Sequence, residues 1–229
     1  MKRQRCVVAY SGSAAATTAL KSLVADRADV ATLTVDLGQP IDLGQVRDAA
    51  LAAGATRAHV IDARDEFVRE HLLPALRAGV ADGGWLPLVR TLGRTLVASK
   101  LREVAAIEDA AAVDAAAECD ASLAGRLVAA GGYTLTKSAD AAPDRPANVE
   151  IAFERGVPVS INGVSMALTE LMESLATIGG QHAVGRMEAV EAPAAVLLHA
   201  ALHAEHDGRA RLTLRKGTVA EQKELVTQS

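Results

Sequence analysis

The sequence predicts an α/β fold, in which a parallel sheet carries helices on both faces and a smaller α+β part follows. Three observations support this prediction. Short apolar runs alternate with amphipathic helical stretches over residues 6–113, which is the pattern of βαβ units. A small-residue turn joins the first apolar run to the first helical stretch. A polar, proline-containing linker at residues 138–147 then separates this pattern from a hairpin and isolated helices.

The elements of the first part follow from its periodicity. Short apolar runs, typical of buried parallel strands, lie at residues 7–9, 30–35 and 58–61. Amphipathic helical patterns cover residues 14–25, 43–53, 64–78 and 90–106. The alanine-rich stretch at residues 108–130 is also predicted to be helical.

The second part is predicted to begin with a hairpin. Residues 149–153 and 157–161 alternate as strands around the turn Glu154-Arg155-Gly156. Helices are predicted at 166–176 and 194–204, and a last strand at 209–214. The linker predicts a division into two domains, residues 1–137 and 138–229.

Composition excludes several classes of function. The formal net charge is −4 and there is no dense basic patch, so we expect no nucleic-acid partner. No apolar run reaches the ~20 residues that span a bilayer, and the basic start lacks the apolar core of a secretory signal. Two distant cysteines, Cys6 and Cys119, indicate a reducing cytoplasm. The alanine-rich core is thin, which favours oligomerisation.

The turn after the first strand has the physics of an anion site. Ser11-Gly12-Ser13 is a small-residue turn whose backbone N–H groups can approach an anion closely. It precedes a predicted helix, whose first amides are free and whose dipole attracts negative charge. A purely structural turn has the same pattern, so both readings stay open.

Two segments carry a resemblance to a known family: Ala9-Tyr10-Ser11-Gly12 and Val35-Asp36-Leu37-Gly38-Gln39. They resemble the loop motifs of argininosuccinate synthases, which are ATP-pyrophosphatase-type ligases. Matches in the same order continue at residues 66–78, 85–100, 133–136, 142–144, 149–163, 178–186 and 211–217. The resemblance implies a HUP-like (adenine-nucleotide alpha-hydrolase) first domain and a second domain like the family's synthetase and oligomerisation part.

The resemblance also implies the site and its ligands. ATP, Mg²⁺ and a citrulline-like amino acid are the family's ligands. The implied cofactor-binding positions are Ala9, Tyr10, Ser11, Gly12, Thr17, Asp36, Gly38 and Gln39. The implied substrate-binding positions are Thr91 and Arg94. The alternative interpretation of Asp36 and Gln39 is that their side chains cap the backbone of their own loop. For Thr91 and Arg94, the alternative is an exposed helix surface that pairs with an acidic residue. The sequence names no catalytic residue.

The residues that differ from the family pattern are those that the family uses to bind ATP and substrate. The second glycine of the family loop is Ser13 here, its aspartate is Ala15 and its next hydroxyl residue is Ala16. Leu86 replaces the tyrosine that contacts citrulline, and the family's substrate-binding block is unrecognisable at residues 115–126. Alanines cannot orient Mg²⁺ or the charge on a departing pyrophosphate. We therefore expect ATP and Mg²⁺ binding to be impaired.

Three histidines suggest a second ligand set. His199, His203 and His206 are spaced i, i+4 and i+7, so a helix would place them on one face, where they could bind zinc. The sequence places no acidic or cysteine partner beside them. The favoured interpretation is therefore a solvated or interface face with no metal.

Three functional hypotheses follow. The first is an argininosuccinate synthase-like protein without citrulline–aspartate ligase activity, acting as a partner or regulator in a homo-oligomer or with a related protein. The second is a reduced ATP-dependent ligase acting on a citrulline-like or other amino acid. The third is a decaying paralogue with no selected activity.

Overall fold

A computed structural model describes residues 5–26, 29–38, 41–79, 85–113, 129–130, 136–187 and 190–222. The chain folds as two compact units. The first comprises Met1–Phe67 and Val89–Gly125, and the second comprises Val68–Leu88 and Arg126–Ser229. No helix within the described residues is both long and apolar enough to cross a bilayer.

The first unit is built on a parallel sheet in the order β3-β2-β1-β4. Its strands are β1 Arg5–Ala9, β2 Asp29–Asp36, β3 Arg57–Asp62 and β4 Ala111–Val113. Residues of β1 and β2 are buried on both faces, as expected for a sheet covered by helices on each side. The predicted α/β class is confirmed, because both the parallel pairing and the flanking helices are present.

Helices of the first part follow the predicted periodicity. They are α1 Ala14–Asp26, α2 Leu43–Ala52, α3 Arg64–Glu66, α4 Leu73–Arg77 and α5 Trp85–Ile107, with a π-helical segment Phe67–Leu72 between α3 and α4. On one face of the sheet, α1 and α2 pack over β1 and β2 in a core that includes Val8, Leu20 and Val46.

The helical prediction for residues 108–130 is wrong at two places. Ala111–Val113 forms the edge strand β4, in which Val113 pairs with Val8 of β1. Ala129–Ala130 forms the short strand β5, and the residues between these strands lie outside the described part. Alanine favours helices only weakly, so pairing with a buried neighbouring strand outweighs its propensity.

The second unit contains two antiparallel sheets. The larger has the order β12-β11-β6-β7-β8, and the smaller has the order β5-β10-β9. Their strands are β6 Ala147–Glu154, β7 Val157–Ile161, β8 Val164–Ser165, β9 Arg186–Met187, β10 Val190–Glu191, β11 Arg209–Arg215 and β12 Thr218–Glu221. Helices α6 Leu168–Gln181 and α7 Pro193–Ala204 belong to this unit, and so does α4, which lies in its segment Val68–Leu88.

Alternation along β6 and β11 decides which face of the larger sheet is buried. Ile151 and Leu212 point into the core, where Leu175 of α6 and Leu198 of α7 are also buried. The opposite face is polar, and there Arg211 Nε donates to Glu150 Oε2 at 2.8 Å. This is the half-solvated sheet expected of an antiparallel α+β unit.

Candidate functional site

The loop after β1 lies at the carboxyl end of the parallel sheet, where ligands of α/β proteins bind. Its first residue is Tyr10, and hydrogen bonds to β2 hold both the N–H and the C=O of this residue. Tyr10 N donates to Leu33 O at 2.9 Å, and Thr34 Oγ1 donates to Tyr10 O at 2.9 Å. The sheet therefore fixes where the loop starts.

Gly12 makes the turn of this loop. Its φ of +79° lies in the left-handed region, which side chains other than glycine rarely adopt. A Cβ added there would lie 2.9 Å from Val46 Cγ2 of α2. The glycine thus serves both the turn and the close approach of α2 to the loop.

Two serines satisfy the loop's own amides. Ser13 Oγ accepts from Ala16 N at 3.1 Å, which is the N-cap bond of α1. Ser11 Oγ accepts from Ser13 N at 3.4 Å. Two of the amides that an anion could use, those of Ser13 and Ala16, are therefore occupied by hydroxyls within the loop.

Tyr10 and Thr17 form a second internal pair. Thr17 Oγ1 donates its proton to Ser13 O at 2.9 Å, so the Tyr10 hydroxyl is the donor in its 2.8 Å bond to Thr17 Oγ1. Tyr10 is buried. Both hydroxyls thus brace the first turn of α1.

Alanines occupy the outer surface of the loop. Ala14 and Ala15 are exposed at the start of α1 and carry no group that could bind a phosphate or a cation. Within the described residues, their two amides have no hydrogen-bond acceptor in the structure. These amides and the helix dipole are the remaining anion-binding capacity of the loop.

The second predicted segment reaches the same end of the sheet. Asp36 ends β2, and its Oδ1 accepts from Gly38 N at 2.8 Å, which supports the turn at Gly38, where φ is +93°. Gln39 and Pro40 lie outside the described residues. Asp36 therefore acts on its own loop, as the capping interpretation anticipates.

Sequence reasoning missed a cation beside Asp36. Arg64 Nε lies 3.4 Å from Asp36 Oδ2, and Arg64 Nη2 lies 2.8 Å from Asp62 Oδ2. The hydrogen bond from Arg64 holds the pKa of Asp62 below its usual value. The signal in the sequence that could have revealed this cation is Arg64 itself, two residues after Asp62 at the end of β3. This guanidinium is neutralised by carboxylates, which weakens it as a phosphate ligand.

Thr91 and Arg94 lie on α5, where both are exposed. Thr91 O accepts from Thr95 Oγ1 at 3.0 Å, so its described contact is within the helix. The side chain of Leu86 is outside the described set. Further along α5, Lys100 pairs with Glu66 at 2.9 Å, and that bond is the main cause of its raised pKa.

The histidine prediction needs correction. α7 ends at Ala204, so His206 is not on the helical face of His199 and His203. His206 Nε2 instead lies 3.7 Å from Asp207 Oδ2 in the turn that follows. Asp207 and Gly208 both have positive φ, and this turn into β11 stops the helix earlier than the histidine spacing requires.

The segment 178–186 serves packing. Gly179 lies within α6, where an added Cβ would be 3.0 Å from Pro193 Cβ. Gly185 has a φ of +79°, and its Cβ would lie 2.6 Å from the backbone of Pro193. The glycines thus let α6 and the start of α7 approach closely. The implied substrate block at 115–126 and residues 133–135 lie outside the described residues.

Comparisons with known proteins agree with this architecture. The family model described as "Arginosuccinate synthase N-terminal HUP domain" matches residues 5–120, and "Arginosuccinate synthase C-terminal domain" matches residues 114–219. The chain is 30% identical over 259 residues to the argininosuccinate synthase of Bacillus cytotoxicus and 31% identical over 258 to that of Bacillus subtilis. That of Geobacillus thermodenitrificans is 32% identical over 259.

These alignments show how much of each relative is represented. Each covers 83% of this chain, and the chain spans 64–65% of the length of these curated relatives. The alignment with the Bacillus cytotoxicus protein extends over 259 positions, which is more than the 229 residues of the chain itself. Part of the relatives' sequence inside the match therefore has no counterpart here.

Proposed function

This chain belongs to the argininosuccinate synthase family, and we propose that it keeps the family's fold without the citrulline–aspartate ligase reaction. In this proposal the protein acts as a partner or regulator in a cytoplasmic assembly, with itself or with a related synthase. One observation carries the proposal: the hydroxyls of the loop that would hold the phosphates are bonded within the loop. Ser13 caps α1, and Ala15 and Ala16 replace the polar residues of the family motif.

The chemistry of the ligase explains why this observation matters. Activating an amino acid with ATP places negative charge on the α-phosphate and the departing pyrophosphate. Stabilising that charge requires Mg²⁺ and oriented polar or cationic side chains. Mg²⁺ prefers carboxylate and water oxygens, and the described loop offers only hydroxyls that are already bonded within it. Residues 10–17 therefore do not fit an ATP-bound Mg²⁺.

The nearest described charges support the same conclusion. Asp36 accepts a hydrogen bond from Gly38 N and forms an ion pair with Arg64, so its carboxylate already has two partners. Arg64 lies between Asp36 and Asp62. A triphosphate would have to compete with two carboxylates for this guanidinium. The relatives' residues that lack a counterpart here add to this support.

An activity assay tests the proposal directly. AMP release is measured with ATP, Mg²⁺, citrulline and aspartate, and the argininosuccinate synthase of Bacillus subtilis serves as the positive control. We expect no release that depends on both amino acids. A turnover in the usual enzyme range of about 1 s⁻¹ or more would overturn the proposal.

A restored loop gives the matched variant. Ser13→Gly combined with Ala15→Asp and Ala16→Ser recreates the family motif. We expect it to strengthen ATP binding in calorimetry and still to release no AMP. If this variant became an active ligase, the loop alone would account for the loss, and the rest of the site would be intact.

The assembly is tested by mass. We expect light scattering to show a species larger than the 23.7 kDa monomer, alone or mixed with a related synthase. A monomer under both conditions at micromolar concentration would contradict the proposed role as a partner. The proposed loss of ligase activity would then still be tested separately by the activity assay.

A second candidate is retained binding of a nucleotide or phosphate, as in a reduced amino-acid ligase that holds its substrate with Thr91 and Arg94. The exposed amides of Ala14 and Ala15 favour it, because they lie at the start of a 13-residue helix. Thermal shifts with ATP and Mg²⁺, AMP and inorganic phosphate test it. No shift with any of the three removes this candidate.

A further inference from the structure

The outer face of α7 carries two histidines one helical turn apart. The helix buries Leu197, Leu198 and Ala201, whereas His199 is half-buried and His203 is exposed on the opposite face. Their ring centroids are 4.2 Å apart and their planes are inclined by 45°. Residues at i and i+4 are neighbours on a helix, so this juxtaposition is held by regular backbone.

The backbone also selects the tautomer of His203. Its Nδ1 lies 2.8 Å from the carbonyl oxygen of His199. A carbonyl oxygen only accepts, so Nδ1 carries the proton, and Nε2 of the neutral ring keeps its lone pair. Imidazoles that bind metals usually donate their other N–H to a carbonyl or carboxylate in this way, which orients the ring and raises its basicity.

We propose that His199 and His203 form a two-imidazole chelate for a divalent transition-metal ion. A shared ion requires the two ligand nitrogens to lie within about 4 Å of each other, since metal–nitrogen bonds are ~2.0–2.1 Å long. The ring centroids, 4.2 Å apart, place the two imidazoles side by side. Imidazole ligands suit copper and zinc, and the general affinity order places Cu²⁺ above Zn²⁺.

The number of protein ligands determines the character of the site. Over the described residues, no group of three or more His, Cys, Asp and Glu side chains is placed to hold a metal. In the proposed chelate, water completes the coordination shell and the ion exchanges with solvent. Such a chelate differs from a closed structural zinc site, which has four protein ligands.

Calorimetry with CuCl₂ and ZnCl₂ on the full chain tests the proposal. We expect binding of Cu²⁺ that is stronger than that of Zn²⁺. Either His199→Ala or His203→Ala should weaken it at least about tenfold, since losing one imidazole abolishes the chelate. His206→Ala is the matched control, because this exposed histidine lies beyond the helix, and we expect it to bind as the wild type does.

Electron paramagnetic resonance of the copper-loaded protein adds a readout independent of stability. The wild type should show coupling to two imidazole nitrogens, and each helix variant should show it for one at most. If His203→Ala does not fold, His203→Gln replaces it. Unchanged copper affinity in the His203 variant, or an equal loss in His206→Ala, overturns the proposal and leaves His203 as a C-terminal cap of α7.

Discussion

The two ends of the parallel sheet are held by different interactions. At the carboxyl end, hydroxyls bond to backbone groups a few residues away, as Ser13 does to Ala16. At the amino end, charged side chains join three strands and the segment that follows α5. Arg5 of β1 binds Asp29 of β2 at 2.6 Å, and Glu108, just after α5, lies 3.1 Å from Arg57 of β3.

The amino end of the sheet therefore contributes mainly to stability, whereas the carboxyl end contains the candidate site. Each ion pair at the amino end connects residues that are distant in sequence, so breaking one loosens the arrangement of whole strands. Bonds at the carboxyl end mostly shape a single loop. Polar residues can therefore be lost from this loop at a smaller cost to the fold, which is compatible with the proposed loss of ligation.

Gly12→Ala should have the largest effect, because it tests the close packing of the loop at the carboxyl end against α2. The positive φ and the 2.9 Å approach to Val46 Cγ2 both oppose a side chain. We expect the free energy of unfolding to fall by about 2 kcal/mol in urea titration. Val46→Ala in the same background relieves the contact and should recover part of the loss. An unchanged stability would show that the loop is looser than described.

Glu108→Gln should have the next largest effect, at the amino end. The Glu108 side chain is only 12% exposed and contacts both Arg57 and His59. We expect a loss of about 1–2 kcal/mol, between the values of exposed and buried pairs. The control is Asp48→Asn, which removes the exposed pair Arg47–Asp48 and should change stability little. A loss no larger than the control's would contradict the role assigned to the amino end.

Ser13→Ala tests the local nature of the carboxyl end. Loss of the N-cap bond to Ala16 should lower the free energy of unfolding by about 1 kcal/mol. Ser13→Gly should lower the free energy of unfolding by only a few tenths of about 1 kcal/mol. Hydrogen exchange should speed up at the start of α1 and stay unchanged in β2 and β3. Faster exchange throughout the sheet would mean that the loop supports more than itself.

The fold was largely predictable because apolar periodicity is a local signal. Strands β1, β2 and β3 lie within two residues of their predicted bounds, since buried runs and helical patterns both appear in short windows. Strand β4 escaped prediction because its alanines favour strand only when they pair with β1. The same limit explains His206, whose position depends on where α7 stops.

The candidate site was predictable in position and less so in its contacts. Residues 10–17 and 36–38 meet at one end of the sheet, as the order of strands requires. Ser13 was predicted only as part of a small-residue turn, and its N-cap bond to Ala16 is a finding of the structure. The link between Asp36 and Arg64 depends on the pairing of β2 with β3, which joins Asp36 to Asp62 and brings the following arginine close.

The smallest effect that we expect is the pH dependence of stability that Asp29 and Asp62 confer at the two ends of the sheet. The hydrogen bond from Thr56, and next that from Arg5, hold the pKa of Asp29 below its usual value. Arg64 alone lowers the pKa of Asp62 at the other end. A carboxyl whose pKa is lower in the folded state stabilises the protein above its unfolded value of about 3.9. That contribution is lost as the pH falls through the folded pKa.

Asp29→Asn should therefore lie below the wild type in stability at pH 6, and the difference should shrink between about pH 5 and pH 2. Asp62→Asn should show the same sign with a smaller amplitude. Its partner Arg64 is two residues away, so the pair also forms in the unfolded chain and contributes less to the difference between states. Urea titrations at four pH values measure both variants. An equal amplitude at the two ends would mean that pairs within one loop stabilise this sheet as much as pairs between strands.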